Sequence, residues 1–237
     1  MSQSSNITYV RRAGERGHVN LGWLSSHHSF SFGHYYDPGH MGISALRVIN
    51  DDTVVAGAGF GTHGHSDMEI ISYVLDGALK HQDSMGHEQI LSAGEVQHMS
   101  AGRGITHSEY NASGTEPVRF LQIWIQPRAQ GIEPGYEQAC IPQHGALTPL
   151  VTADGRDGSL VMQQDASLYR LVLAAGESMV LTSADGPGYL HLISGELLVD
   201  GGRFTDGDAL AIAPDSQLPV SASRPLEALW FELPARP

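Results

Sequence analysis

"GTHGHSDMEIISYVLDG", residues 61–77, sets two histidines one residue apart, then a nearly unbroken apolar run, then Asp-Gly. Side chains two apart on a strand share a face, so His63 and His65 aim at one point. The run that follows is strand-length, rich in β-branched and aromatic residues, and stops at a turn signal. This stretch therefore predicts β-structure on both sides of a sharp bend.

The same grammar recurs outward from it. "ISALRVIN" (43–50) and "TVVAGAGF" (53–60) flank Asp51-Asp52, which reads as a hairpin. "MEIISYVLDGALKHQDS" gives two strands around Asp76-Gly77, "HEQILSAGEVQHMS" two more around Ala93-Gly94, and "VRFLQIWIQP" another. Segments with a 3.6-residue period are scarce, so the fold class is all-β. A Pro/Gly/polar segment, "PRAQGIEPGYEQ" (127–138), reads as a linker. Beyond it the plan repeats: "LISGELLVDG" (192–201) parallels "YVLDGALKHQ" (73–82), and "TDGDALAIA" (205–213) parallels "LSAGEVQHM" (91–99). Two tandem antiparallel jelly-roll β-barrels are expected, one in residues 1–130 and one in 131–237. One large β-sandwich is the alternative.

Composition bounds what such a fold does. The 237 residues are 41% hydrophobic and 16% charged, enough for a real core. Acidic residues outnumber basic ones 26 to 13, which works against direct contact with nucleic acid phosphates or anionic membranes. The N-terminus has no apolar signal core, no stretch reaches membrane-span length, and Cys140 is the single cysteine. A cytoplasmic protein with no internal disulfide is expected, and a monomer is the default.

Alone, an H-x-H pair is more often a polar loop edge than half of a metal site. "SAGRGITHSEYN" (100–111) changes the balance, because His107 and Glu109 repeat the i, i+2 arrangement. On neighbouring strands the two pairs can deliver three imidazoles and one carboxylate to one centre. That donor set suits first-row divalent metals and leaves open positions on an octahedral ion.

Gly57, His63, His65 and Glu69, followed by Gly77, resemble the first cupin motif, and Gly104, His107 and Asn111 the second, with Gly102 where a proline is usual. Within the cupins, "GWLSSHHSFSFGHYYDPGHMGISALRVINDD" (22–52), residues 61–77 and "MSAGRGITHSEYN" (99–111) closely resemble the bacterial branch of the pirin family. The resemblance is dense over about the first 130 residues and looser beyond. It implies a bicupin with metal in the N-terminal barrel only, held by His63, His65, His107 and Glu109. Fe(II) is the expected ion, with Mn, Ni, Co, Cu or Zn as alternatives. Glu69 is left outside the ligand set. Aligning Gly195 with Gly77 and Gly207 with Gly94 puts Leu181, Ser183, Val220 and Ala222 where the ligands stand, so the second barrel lacks these donors.

Other residues have plainer readings. His98 is expected at a strand end, with a supporting contact to the metal site as the alternative. His27, His28 and His34 lie in an aromatic stretch that can cover a barrel mouth, and Phe30, Phe32, Tyr35 and Tyr36 are expected in the core. His81 and Asp83 are expected near a turn, facing water. Arg103 reads as a solvated loop arginine within reach of an anion near the metal.

The resemblance implies a dioxygenase that cleaves flavonols such as quercetin with O2 and releases CO, with Glu109 as proton acceptor. A non-catalytic, metal-dependent regulatory protein is the second reading. A sugar-phosphate isomerase ranks last, since it would want a basic cluster around the mouth and only Arg103 and Arg47 are candidates for one.

Overall fold

The computed structural model describes residues 6–236. The earlier strands are β1 (Ile7–Arg11), β2 (Gly17–Asn20), β3 (Leu24–His28), β4 (Leu46–Val54), β5 (Gly59–His65) and β6 (Glu69–Asp76). They continue with β7 (Ala78–Asp83), β8 (Glu88–Ser92), β9 (Val96–Ser100), β10 (Ile105–Asn111), β11 (Val118–Ile125) and β12 (Gly135–Ala139). The later strands are β13 (Leu147–Thr152), β14 (Leu160–Val161), β15 (Ser167–Leu173) and β16 (Ser178–Thr182). The last are β17 (Gly188–Val199), β18 (Gly202–Thr205), β19 (Ala209–Ile212) and β20 (Gln217–Glu232). Helix is confined to two single 3-10 turns among the described residues, Ala13–Glu15 and Arg156–Gly158.

Two sheets make the first barrel, one in the order β12-β9-β6-β11-β4-β3-β2 and one in the order β5-β10-β7-β8. The chain shuttles between them, leaving the first sheet at Gly77 and returning at Gly94, both at positive φ. Gly77 is forced: a Cβ there would collide with the carbonyl of Pro117. Gly195 meets the same constraint against the carbonyl of Pro225. Likewise Gly94 donates its N–H to Val74, and Gly207 donates to Leu192. These matched bends carry the bicupin repeat. The second barrel is a single folded sheet, β1-β19-β17-β20-β15-β13-β14, with β16 on β20 and β18 on β17.

The halves also trade edges. The first strand pairs with β19, and β12, within the segment read as a linker, pairs with β9. The linker reading fails there because residues 135–139 complete a sheet edge that local composition does not reveal.

The central strands of the first sheet are apolar on both faces for a reason. Ile70 and Val74 of β6 pack inside the first barrel, whereas Ile71 and Tyr73 join a core shared with Leu168, Tyr189, Leu229 and Phe231 of the second. Strand β11 repeats this with Phe120 inward and Leu121 and Ile123 toward the second barrel. A sheet sandwiched between two cores needs no polar face.

That sandwich also corrects the Asp51-Asp52 hairpin. Strand β4 runs straight through both residues, paired with β3 and β11. Period-2 alternation sends the carboxylates in opposite directions. Asp51 meets Arg119 in two hydrogen bonds of 2.8 and 2.9 Å, with Arg16 at 3.5 Å. Asp52 turns into the first barrel.

Candidate metal centre

Strand β5 carries His63 and His65, and β10, paired to it antiparallel, sets His107 directly across from His63. A register shift after His107 lets Glu109 oppose Phe60 instead of the next residue in line. Along β10, Ile105, His107, Glu109 and Asn111 are buried and the residues between them are not. The four sequence-expected residues thus converge inside one barrel. The rings of His63, His65 and His107 lie 4.5 to 4.9 Å apart centre to centre. Their donor atoms all fall within 4.8 Å of one another, and Glu109 joins an overlapping group with His107 and His81.

Protonation and tautomer suit donation. Burial, with the neighbouring imidazoles, holds His107 at about 3 and His65 at about 4, so both are neutral at pH 7. His63 Nδ1 lies 2.9 Å from the Gly61 carbonyl, so that nitrogen is the donor and Nε2 is the one left to face the cluster. His107 Nε2 is buried with no partner in the protein. Burial raises Glu109, against the pull of His81 and hydrogen bonds from Ser72 (3.1 Å) and Gln122 (2.8 Å).

Behind His107 stands a chain of groups that the sequence reading placed in water. His81 and Asp83 are buried, contrary to expectation. His81 Nδ1 is 3.5 Å from His107 Nδ1, and its Nε2 is 3.1 Å from Asp83 Oδ2. Asp83 also accepts from His87 and, through Oδ1, from the N–H groups of Met85 and His87. Burial alone would raise its carboxyl, but these donors hold it below the usual range. Tyr136 stacks on both His81 and His87 at 4.6 and 4.8 Å. The missed signal was D-x-M-G-H: an aspartate capping its own turn can do so from inside the barrel.

The remaining expectations divide. His98 is a buried partner of Glu69 at 2.7 Å, in the middle of β9 and not at a strand end. Glu69 accepts also from Ser100 (2.8 Å) and from the N–H of Gln163 (3.0 Å) in the second half. Phe30 is core, but Phe32 lines a cavity and Tyr36 is 72% exposed. His27 stacks on His18 at 4.4 Å, His28 is buried and His34 is exposed. Arg103 is an exposed loop residue whose guanidinium is paired with Glu133.

The cluster opens into a cavity of about 380 Å³ lined by Trp23, Phe32, Phe60 and Trp124 and by the polar Asn50, Asp52, Gln122 and Glu109. Burial, with Glu109 and Asp51 nearby, pushes Asp52 up to about 7 against a hydrogen bond from Ser26. In the second barrel, Leu181, Val220 and Ala222 are packed into an apolar core, and Ser183 donates to the Ala213 carbonyl.

A duplicated jelly roll with imidazoles gathered in its first half is a two-barrel cupin. Residues 9–125 match the pirin family and residues 150–233 the quercetinase C-terminal cupin domain. The chain belongs to the pirin family. It is 48% identical over 229 residues to the quercetin 2,3-dioxygenase of Escherichia coli K12, covering 96% of this chain and 99% of that protein. The crystal structure of YhhW from Escherichia coli superposes with a TM-score of 0.93 at 48% identity, over 95% of this chain and 97% of that one. The same bacterial pirin in complex with nickel(II) gives 0.92, over 95% and 98%.

Proposed function

We propose that this chain is a metal-dependent dioxygenase that cleaves flavonols such as quercetin with O2, releasing CO and leaving a depside. The observation that carries this reading is the imidazole cluster of His63, His65 and His107, with the buried His107 Nε2 unpartnered, opening on a cavity with aromatic walls. His63, His65, His107 and Glu109 would hold the ion, and three nitrogens with one carboxylate fit a first-row divalent metal. Fe(II) is the ion proposed, with Mn, Ni, Co, Cu or Zn also compatible; nickel(II) is bound by the Escherichia coli relative. The chemistry supplied there is Lewis-acid polarisation and a common docking point for substrate oxygen and O2.

The chain's own residues do the rest. Aromatic walls orient a planar phenol and exclude water. Glu109, which burial makes a stronger base than an ordinary carboxylate, takes the 3-hydroxyl proton of the substrate. The cavity wall carries no lysine or arginine, which disfavours the sugar-phosphate isomerase. The non-catalytic regulatory reading has no observation of its own in its favour.

The deciding experiment combines elemental analysis of protein purified without chelator with quercetin loss on the same sample, before and after O2 is admitted. A first-row redox metal with oxygen-dependent loss is expected. Zinc without oxygen consumption would overturn the reading.

Asp83→Asn tests the support behind His107. Asp83 holds His81, whose Nδ1 faces Nδ1 of His107; losing a direct partner of a ligating imidazole typically costs about 10–100-fold in metal affinity, and this indirect one should cost about tenfold. Competition with a chromophoric chelator should show that loss, while His87→Ala, at a half-exposed position, should lose less.

A further inference from the structure

The cavity beside the histidines is lined by polar atoms that nothing in the protein satisfies. Glu109 and Gln122 are engaged with each other. Asp52 Oδ1 and the indole Nε1 of Trp124 are buried with no hydrogen-bond partner, and both residues line the cavity. Asp52 is 3% exposed and sits on β4 across from Ser26, whose hydroxyl serves its carboxyl. Trp124 is held edge-on by Phe32 at 5.2 Å and by His65 at 4.9 Å, so its indole edge is fixed. Buried polar atoms are nearly always paired, and each one left alone is costly. Here the orphans are one acceptor and one donor, on two residues that line a slot shared with Trp23, Phe32 and Phe60.

Resting on the reading that the slot takes a planar phenol, we propose that Asp52 accepts a hydrogen bond from a ring hydroxyl while Trp124 Nε1–H donates to an oxygen acceptor on the same molecule. The two residues select the oxygenation pattern of the ligand. A site built to pair a hydroxyl discriminates strongly against an analogue that lacks it, because the protein group is then left unpaired. An apolar wall cannot do this.

The test is anaerobic calorimetric titration of metal-loaded protein with quercetin and with a series of analogues, each lacking one hydroxyl. Asp52→Ala should weaken quercetin on the order of tenfold, and the effect should vanish for the one analogue missing the contacted hydroxyl, as a double-mutant cycle requires. Asp52→Asn, which keeps the shape and a carbonyl acceptor, should recover most of the lost affinity. Trp124→Phe should weaken every analogue that keeps the ring carbonyl. Metal content and thermal midpoint of the same samples separate these effects from misfolding. Equal losses of Asp52→Ala across the series, or none, would overturn the selection while leaving the oxygenase reading intact. Tight, selective binding without turnover would do the reverse, and a wild-type protein that binds no flavonol would sink both.

Discussion

Glutamine at position 109 is expected to cut quercetin turnover by about a thousandfold in protein freshly loaded with metal. The substitution is nearly isosteric, and the amide oxygen can still accept from Ser72 or Gln122. What it loses is the negative charge and the capacity to take a proton, and positioned acid–base groups contribute about 10²–10⁴-fold. Burial has already raised the carboxyl of Glu109, which brings it closer to the pH at which it must exchange that proton. His63→Ala should be more severe by another route, removing an imidazole from the cluster and with it the ion. Elemental analysis separates the two: Glu109→Gln should be inactive with metal still bound, and His63→Ala inactive because metal is lost. Undiminished turnover in both variants would show that the cluster is not the reaction centre.

The convergence of His63, His65, His107 and Glu109 was readable because strand alternation is local. Two residues at i, i+2 share a face whatever strand lies beside them. The repeat was readable for a similar reason, since Gly77 and Gly195 both occupy bends that exclude a Cβ. What failed was everything decided by a neighbour distant in sequence. Asp51-Asp52 has turn composition, yet β4 continues through it because β3 and β11 supply partners on either side. The cost of burying Asp51 is offset by Arg119, which is 68 residues away. His81 and Asp83 looked solvated because polar residues beside a turn usually are. Their burial depends on Tyr136, contributed by a strand that composition marked as linker. The polar lining of the cavity was hidden for the same reason: Asp52 and Trp124 come to line one cavity only when β4 and β11 pair.

Glu69→Ala is expected to destabilise the protein by about 3–5 kcal/mol, because it leaves three donors without their acceptor and each unsatisfied buried group costs about 1–3 kcal/mol. Glu69 is fully buried and its Oε2 gathers three donors: His98 at 2.7 Å, Ser100 at 2.8 Å and the N–H of Gln163 at 3.0 Å. The first two lie on the neighbouring strand and the third comes from the second half, so one carboxylate ties the barrels together beside the strand that precedes the metal cluster. Alanine would leave all three donors without an acceptor. For a chain of this size the loss should lower the thermal midpoint by about 10 °C, whereas Glu69→Gln, which keeps an acceptor oxygen, should cost less than half as much. The pH dependence has a definite sign. Burial would raise this carboxyl, but the bonds from His98, Gln163 and Ser100 outweigh it and the net shift is downward. A depressed carboxyl contributes stability that is complete above its ordinary value of about 4.5 and is lost as pH falls through the folded value. Wild type and Glu69→Gln should therefore differ most at neutral pH and converge in acid. Calorimetry from pH 7 to 3 would check this; a gap that stays constant over that range would mean that Glu69 is held by packing and not as a carboxylate.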